Sequence, residues 1–351
     1  IGWLMDRHGR RQGLSAGFLA AIAGALIGVL AVTQSFFALL VLASFIVGIS
    51  GSALEQTRYI AAEIAPPENR AKAIGLIVFA GTAGSLGGRL AIEISTQLAK
   101  ITGTDELACP WILAVTLMVC GLILNHLLLR PDPLTLARQV HSPGVSHIQR
   151  HPTTARPMSL IFRTPTVLLA TIVMALAQLS MTVVMVVTPL HLEYCGYGTQ
   201  FMSTALMLHT LGMFAFSSLT SRLVNTLGGI STALFGALML LASAIIGYSA
   251  HTLSTIYIAI FLLGLGWNLC HIAGSSMLSH ELASEERGRA QGITEVLVGV
   301  TAGIGSLSSG AIYGFYGYAG ANVVAFASIS ILLLTSTFLI SANRQRFAPP
   351  L

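Results

Sequence analysis

The chain has 351 residues, of which 54% are hydrophobic and only 9% are charged, with a formal net charge of +5. Soluble domains carry about a quarter charged residues, so an ordinary globular protein is excluded. A basic balance also suits nucleic-acid binders, but here the charges sit in short stretches between long apolar runs, which points to a membrane and away from nucleic acid.

In chain order, the first stretch is Gly2-Trp-Leu-Met-Asp6-Arg7-His-Gly9-Arg10-Arg11, a cationic turn before an apolar run. Asp6, Arg7, Arg10 and Arg11 are too polar for hydrocarbon and belong at a membrane surface. Gly2 allows close helix approach, and Gly9 allows a turn that a β-carbon would hinder. Ten apolar segments follow, near 12–33, 36–62, 70–94, 109–129, 165–190, 200–220, 229–249, 253–278, 290–313 and 319–341. Each approaches the ~20 residues that cross a bilayer as a helix. None alternates with period two, so barrel strands are not expected. Residues 130–163 differ: Pro131, Pro133, Pro143, Pro152 and Pro157 break helices among recurring basic residues, as in a cytoplasmic linker. His141, His147 and His151 lack the spacing of a metal site and fit a solvated linker. Cys109, Cys120, Cys195 and Cys270 show no metal or redox spacing, and free thiols are expected over a Cys109–Cys195 disulfide.

With these helices in place, all of the 18 basic residues except Arg58, Arg89 and Lys100 fall on one side. That side is cytoplasmic by the positive-inside rule. The two halves echo each other. Arg70, Ala73 and Gly75 recur as Arg287, Ala290 and Gly292, Phe45 and Gly48 recur as Phe261 and Gly264, and Asp6-Arg7 fall on Ser221-Arg222. The near-equal offsets imply an internal duplication.

The spacing Gly2-x-x-x-Asp6-Arg7-x-Gly9-Arg10-Arg11 resembles the loop between the second and third helices of the major facilitator superfamily of transporters. The resemblance implies an all-α polytopic membrane protein of two pseudo-symmetric six-helix bundles. On that reading the first helix and most of the second are missing, and the sequence is an N-terminally truncated fragment. The bundles would be residues 1–129 and 164–351, joined by the linker 130–163. The resemblance also implies rocking about a central solute site. Gly2, Asp6, Arg7, Gly9, Arg10, Arg11, Arg70, Arg222 and Arg287 would then form an inner gate. Asp6 would sit against the N-terminus of the helix starting near Ala290. Glu63, Glu68 and Glu295 are candidate partners for the arginines, in exposed pairs weak enough for a latch.

Ionisable and polar groups inside the membrane are the other candidates. Glu55 and Arg58 stand three apart and share a helix face. Glu55 corresponds to His271 under the duplication. Trp267, Asn268 and His271 cluster in the tenth helix, with Asn268 and His271 able to share a face. Gln178 and His209 lie at similar depth. These seven residues form the expected substrate or proton pathway, each weighed against plain helix packing. Arg89 and Glu93 are explained by snorkelling. Gly84, Gly87 and Gly88 suggest close helix packing and look like the glycine motif of proton-coupled exporters, although Ser85 and Ser44 depart from the exporter pattern.

No Gly-x-x-x-x-Gly-Lys-Ser/Thr loop is present, which argues against ATP-driven pumping within this chain. Ser275, Ser276, Ser308, Ser309, His271 and His280 assemble no triad by sequence, so an enzyme is not expected. The expectation is a secondary transporter of a small solute, proton-coupled, leaning to export, with uptake symport as the alternative. No cofactor or metal is expected. The protein would be a monomer in the lipid bilayer of a bacterial inner membrane.

Overall fold

The computed structural model describes residues 2–105, 107–140 and 156–343, and every regular element among them is helical. The histidines 141, 147 and 151 therefore lie outside the described residues. The elements are α1 (Gly2–His8), α2 (Arg10–Thr33), α3 (Phe37–Leu54), α4 (Thr57–Ile64), α5 (Arg70–Thr102), α6 (Cys109–Leu128), α7 (Pro133–Val140) and α8 (Met158–Ile161). There follow α9 (Pro165–Met185), α10 (Thr188–Tyr194), α11 (Thr199–Phe214), α12 (Ser217–Leu227), α13 (Gly229–Tyr248), α14 (Leu253–Glu281) and α15 (Ser284–Ala342).

Among the described residues, eight stretches are long and apolar enough to cross a bilayer, and the last, Glu286–Ala342, is 57 residues long. It is broken at Gly317, whose φ of 63° and ψ of −162° lie outside the helical region. Glycine reaches that conformation without a β-carbon clash, so the chain turns there with no intervening loop. The separate α5 adds a further 33-residue helix. Three segments expected as single spans are interrupted: α3 passes to α4 at Glu55–Gln56, α9 to α10 at Val186–Val187, and α11 to α12 at Ala215–Phe216. Side chains satisfy carbonyls at two of these breaks. Thr57 Oγ1 donates to Leu54 O at 2.6 Å, and Ser217 Oγ donates to Phe214 O at 2.7 Å.

The chain divides into two compact units. The first holds residues 1–66, 83–155 and 283–292, and the second holds 67–82, 156–282 and 293–351. In the first, α2 packs on α3 and α6, and α4 packs on α7. A β-carbon at Gly17 would collide with Ala53 Cβ, which sets the close approach of α2 and α3. In the second unit α14 is central, packed on α9, α11 and α13 and buried along nearly all of 263–279. Its N-terminus is closed by a capping box between Thr252 and Thr255. A β-carbon at Gly264 would strike the backbone carbonyl of His209, so this glycine brings α11 against α14. Small residues at such crossings compensate for the weak hydrophobic drive between helices in lipid.

Candidate functional site

The opening loop is built by short-range geometry and one distant acid. Gly9 takes φ 99° between α1 and α2, a left-handed position that favours glycine. Asp132, at the start of α7, accepts from the backbone N–H of Arg10 at 3.2 Å and Arg11 at 3.0 Å, and from Leu134 N–H at 2.9 Å. It caps the N-terminus of α2, where amides lack intrahelical partners and carboxylates are favoured. A β-carbon at Gly9 would lie 2.6 Å from Asp132 Oδ2, so the residue that makes the turn also makes room for the cap.

Arg10 turns inward. Its Nε donates to Glu63 Oε2 at 2.8 Å and its Nη2 to Glu63 Oε1 at 3.1 Å. The side chains are only 3% and 2% exposed. The pairing with Glu63 is among those expected, but its setting corrects the picture of a weak exposed latch. A buried bidentate pair is a fixed strut, and removing one partner leaves an uncompensated charge. Arg11 stays near the surface and donates to His126 Nδ1 at 2.8 Å and to His126 O at 3.0 Å. Arg7 and Arg222 are exposed. Arg70 is buried in the second unit and donates from Nη1 to Ser279 O at 3.0 Å, a carbonyl in the last turn of α14 where cations are favoured. Arg287 is buried. The side chain of Asp6 lies outside the described residues, as do any contacts of Gly2 beyond its backbone.

Glu55 and Arg58 pair as their spacing predicts, at the α3–α4 break. Arg58 is 2% exposed, also donates to Glu55 O at 2.9 Å, and lies over the Tyr59 ring at 4.6 Å. Glu55 itself remains 55% exposed. The glycines of α5 require a correction. A β-carbon at Gly84 or Gly87 would meet no described atom within 4 Å, and the side of Gly88 lies outside the described residues. The close contacts on α5 are at Gly75, where a β-carbon would be 2.7 Å from Ser217 O, and at Gly81, where it would be 2.9 Å from Phe214 Cδ1.

The second cluster lies in α9, α11 and α14. Gln178 and Trp267 each stand about 20 Å along their helices by the 1.5 Å rise, roughly half a membrane span. Trp267 Nε1–H donates to Gln178 Oε1 at 2.8 Å, and Gln178 Nε2–H donates to Thr182 Oγ1 at 3.1 Å. His271 stacks on Trp267 with centroids 4.3 Å apart and planes 19° apart. Phe214 meets the same indole edge-on at 6.3 Å and 81°. Trp267 and His271 are buried, whereas Gln178, Thr182 and Phe214 are partly exposed.

The structure thus brings Gln178, Trp267 and His271 together, and separates Asn268 from them. Asn268 is fully buried and turns to the α11–α12 break. It donates to Met213 O at 2.6 Å and Ser217 Oγ at 2.8 Å, and accepts from Thr220 Oγ1 at 2.5 Å. The face it shares is with α11 and α12, not with His271. His209 is also apart. Its Nδ1 donates to Ile260 O at 3.0 Å, about two turns from Trp267 toward the start of α14. Its buried Nε2 has no hydrogen-bond partner among the described residues. Thr182 and Phe214 were not singled out from sequence. Thr182 was readable as the i+4 neighbour of Gln178, while Phe214 comes from a helix with no sequence link to Trp267. Among the described residues no group of three or more metal-ligating side chains occurs, and all four cysteines are free.

Long apolar helices with a cationic loop at their margin and a polar aromatic cluster at mid-depth define a polytopic membrane protein. A model of the Major Facilitator Superfamily matches residues 1–243 and 170–349, and the chain belongs to that family. It is similar to the MFS-type transporter YdeG of Bacillus subtilis, at 30% identity over 95% of this chain and 77% of that one. It also resembles the riboflavin transporter RfnT of Brucella anthropi, at 23% identity over 95% and 80%. Among solved structures, the human organic anion transporter MFSD10 superposes with a TM-score of 0.71 at 18% identity, covering 96% of this chain and 79% of that one. FucP in its outward conformation gives 0.70 at 14%, covering 96% and 85%.

Proposed function

We propose that the chain is a secondary active transporter that moves a small solute by alternating access, coupled to protons, and works as a monomer in a bacterial inner membrane. The observation that carries this is the cluster of Trp267, Gln178 and His271 at mid-depth, which sets an ionisable ring against a polar aromatic wall. Protons enter the reading through His271 and through Glu55, which stays accessible beside the buried Arg58. Export is the direction proposed, on the glycine-rich stretch of α5. The two helical halves move relative to each other, and α7 with Asp132, read from the sequence as part of the linker 130–163, travels with the first. Asn268 and His209 contribute by holding α11 and α14 rather than by touching solute.

The inner surface is gated by Asp6, Arg7 and Arg11 of the opening loop with Arg70, Arg222 and Arg287, while Arg10 serves as a strut. Asp6→Asn is expected to lower transport severalfold while leaving insertion and yield unchanged, as for loss of one charge-assisted contact. The test is solute flux in proteoliposomes with and without an imposed pH gradient. Flux that follows the gradient supports the proposal. Flux indifferent to it removes proton coupling, and wild-type flux in the Asp6→Asn protein removes the gate.

A further inference from the structure

The direction of the hydrogen bonds in the α9–α14 cluster carries information about the solute. An indole N–H only donates. Gln178 must therefore present its carbonyl oxygen to Trp267 and its NH2 to the other side, where Thr182 accepts. Every bond in the chain runs the same way, from Trp267 through Gln178 to Thr182. Among the described residues the Thr182 hydroxyl makes no further hydrogen bond. It thus ends the relay with a proton to give, on a partly exposed side chain. α15 packs against the same residue. A β-carbon at Gly305 would lie 3.3 Å from Thr182 Cβ and 3.2 Å from Leu179 Cδ1.

The rings fix the shape of what meets that hydroxyl. Trp267 is held in one orientation by its bond to Gln178, and His271 covers it at 4.3 Å and 19°. Phe214 stands at 81° to the indole and, unlike the buried Trp267, is partly exposed, so it presents a flat ring set square to a fixed one. Flat ring systems stack on such an exposed ring or meet it edge-on. The cluster carries an amide, a hydroxyl and aromatic faces, with His271 as the one titratable side chain of the five.

We infer that this cluster selects a flat, uncharged ring system bearing a carbonyl acceptor, which takes the proton of Thr182 and lies against Phe214. This inference deepens the transport proposal and rests on it for the identity of the site. Thr182 and Phe214 are its specificity-determining residues. A polar group built to meet a partner discriminates strongly against compounds lacking it, because the group is otherwise left unmatched.

The experiment is calorimetric binding to the purified full chain. The probes are an isoalloxazine, a xanthine and a quinolone, set against a hexose and an aliphatic amino acid. At least one of the planar carbonyl compounds is expected to bind, and the hexose and the amino acid are not. Thr182→Val keeps the shape and removes the donor, and is expected to weaken that binding roughly tenfold. Thr182→Ser is expected to restore it, which separates loss of the hydroxyl from loss of folding. Phe214→Leu is expected to narrow the preference for planar over non-planar probes. Binding of none of the planar probes, equal binding of the hexose, or wild-type binding by Thr182→Val overturns the inference. Gradient-driven flux of a non-planar solute in proteoliposomes would leave transport standing and sink this inference alone. Planar binding that depends on Thr182 without any flux would do the reverse.

Discussion

The Arg10–Glu63–Asp132 group of the first unit and the Trp267–Gln178–Thr182 group of the second are both polar clusters in a mostly apolar chain, built in opposite ways. The first uses full charges and closes on itself. Arg10 and Glu63 satisfy each other bidentately, and Asp132 fills its lone pairs with three backbone amides. The second uses neutral groups and stays open at one end, because its donors all point the same way and finish on Thr182. A closed charged cluster resists rearrangement, since opening it strands a charge. An open neutral one can exchange a partner at small cost. On the function proposed above, the contrast separates a piece that holds shape from a piece that recognises.

The largest expected effect comes from breaking the closed cluster. Glu63→Ala should destabilise the protein by about 3–5 kcal/mol, seen as a fall in the unfolding temperature in detergent, while Arg10→Met with Glu63→Leu should recover most of it. A small shift in the single variant would mean that the pair is no strut. Next is Asn268→Ala, which leaves Met213 O, Ser217 and Thr220 short of a partner and should cost roughly 1–3 kcal/mol. If the substitution lowers the unfolding temperature and spares KM, Asn268 belongs with the shape-holding residues. If KM rises and stability is kept, the comparison must be redrawn with Asn268 on the recognising side. The smallest effect is expected from Asp132→Ala, about 1 kcal/mol for a lost cap, with Asp132→Asn or Asp132→Ser keeping most of it. An equal loss for all three would show that the charge, and not the capping geometry, is what α2 needs.

Much of this was legible beforehand. The turn at Gly9, the run of long helices and the pairing of Glu55 with Arg58 follow from local rules of spacing and polarity, and the chain obeys them. What was hidden depends on contacts between residues far apart in sequence. Asp132 reaches Arg10 across 122 positions. No local pattern marks it as a helix cap, because it sits among the prolines of a stretch that reads as linker. The burial of Arg10 was hidden for the same reason: an arginine in a cationic loop looks solvated until α4 is packed beside it. Asn268 and His271 show the limit of helical periodicity. Residues three apart do lie on neighbouring faces, but which helix each meets is set by the crossing of α11 and α9 on α14, and that crossing depends on Gly264 and its counterparts. Likewise the glycines of α5 were visible as a run, and only packing shows that, among those described, Gly75 and Gly81 are the crowded ones.

The reach of Asp132 bears on how this protein can be taken apart. A cut made at the first proline of the connecting stretch would strand the acid on the wrong piece and leave the amides at the head of α2 bare. Split-gene versions, reporter fusions and engineered protease sites therefore belong beyond Val140, where α7 stays attached to the fragment whose helix it serves.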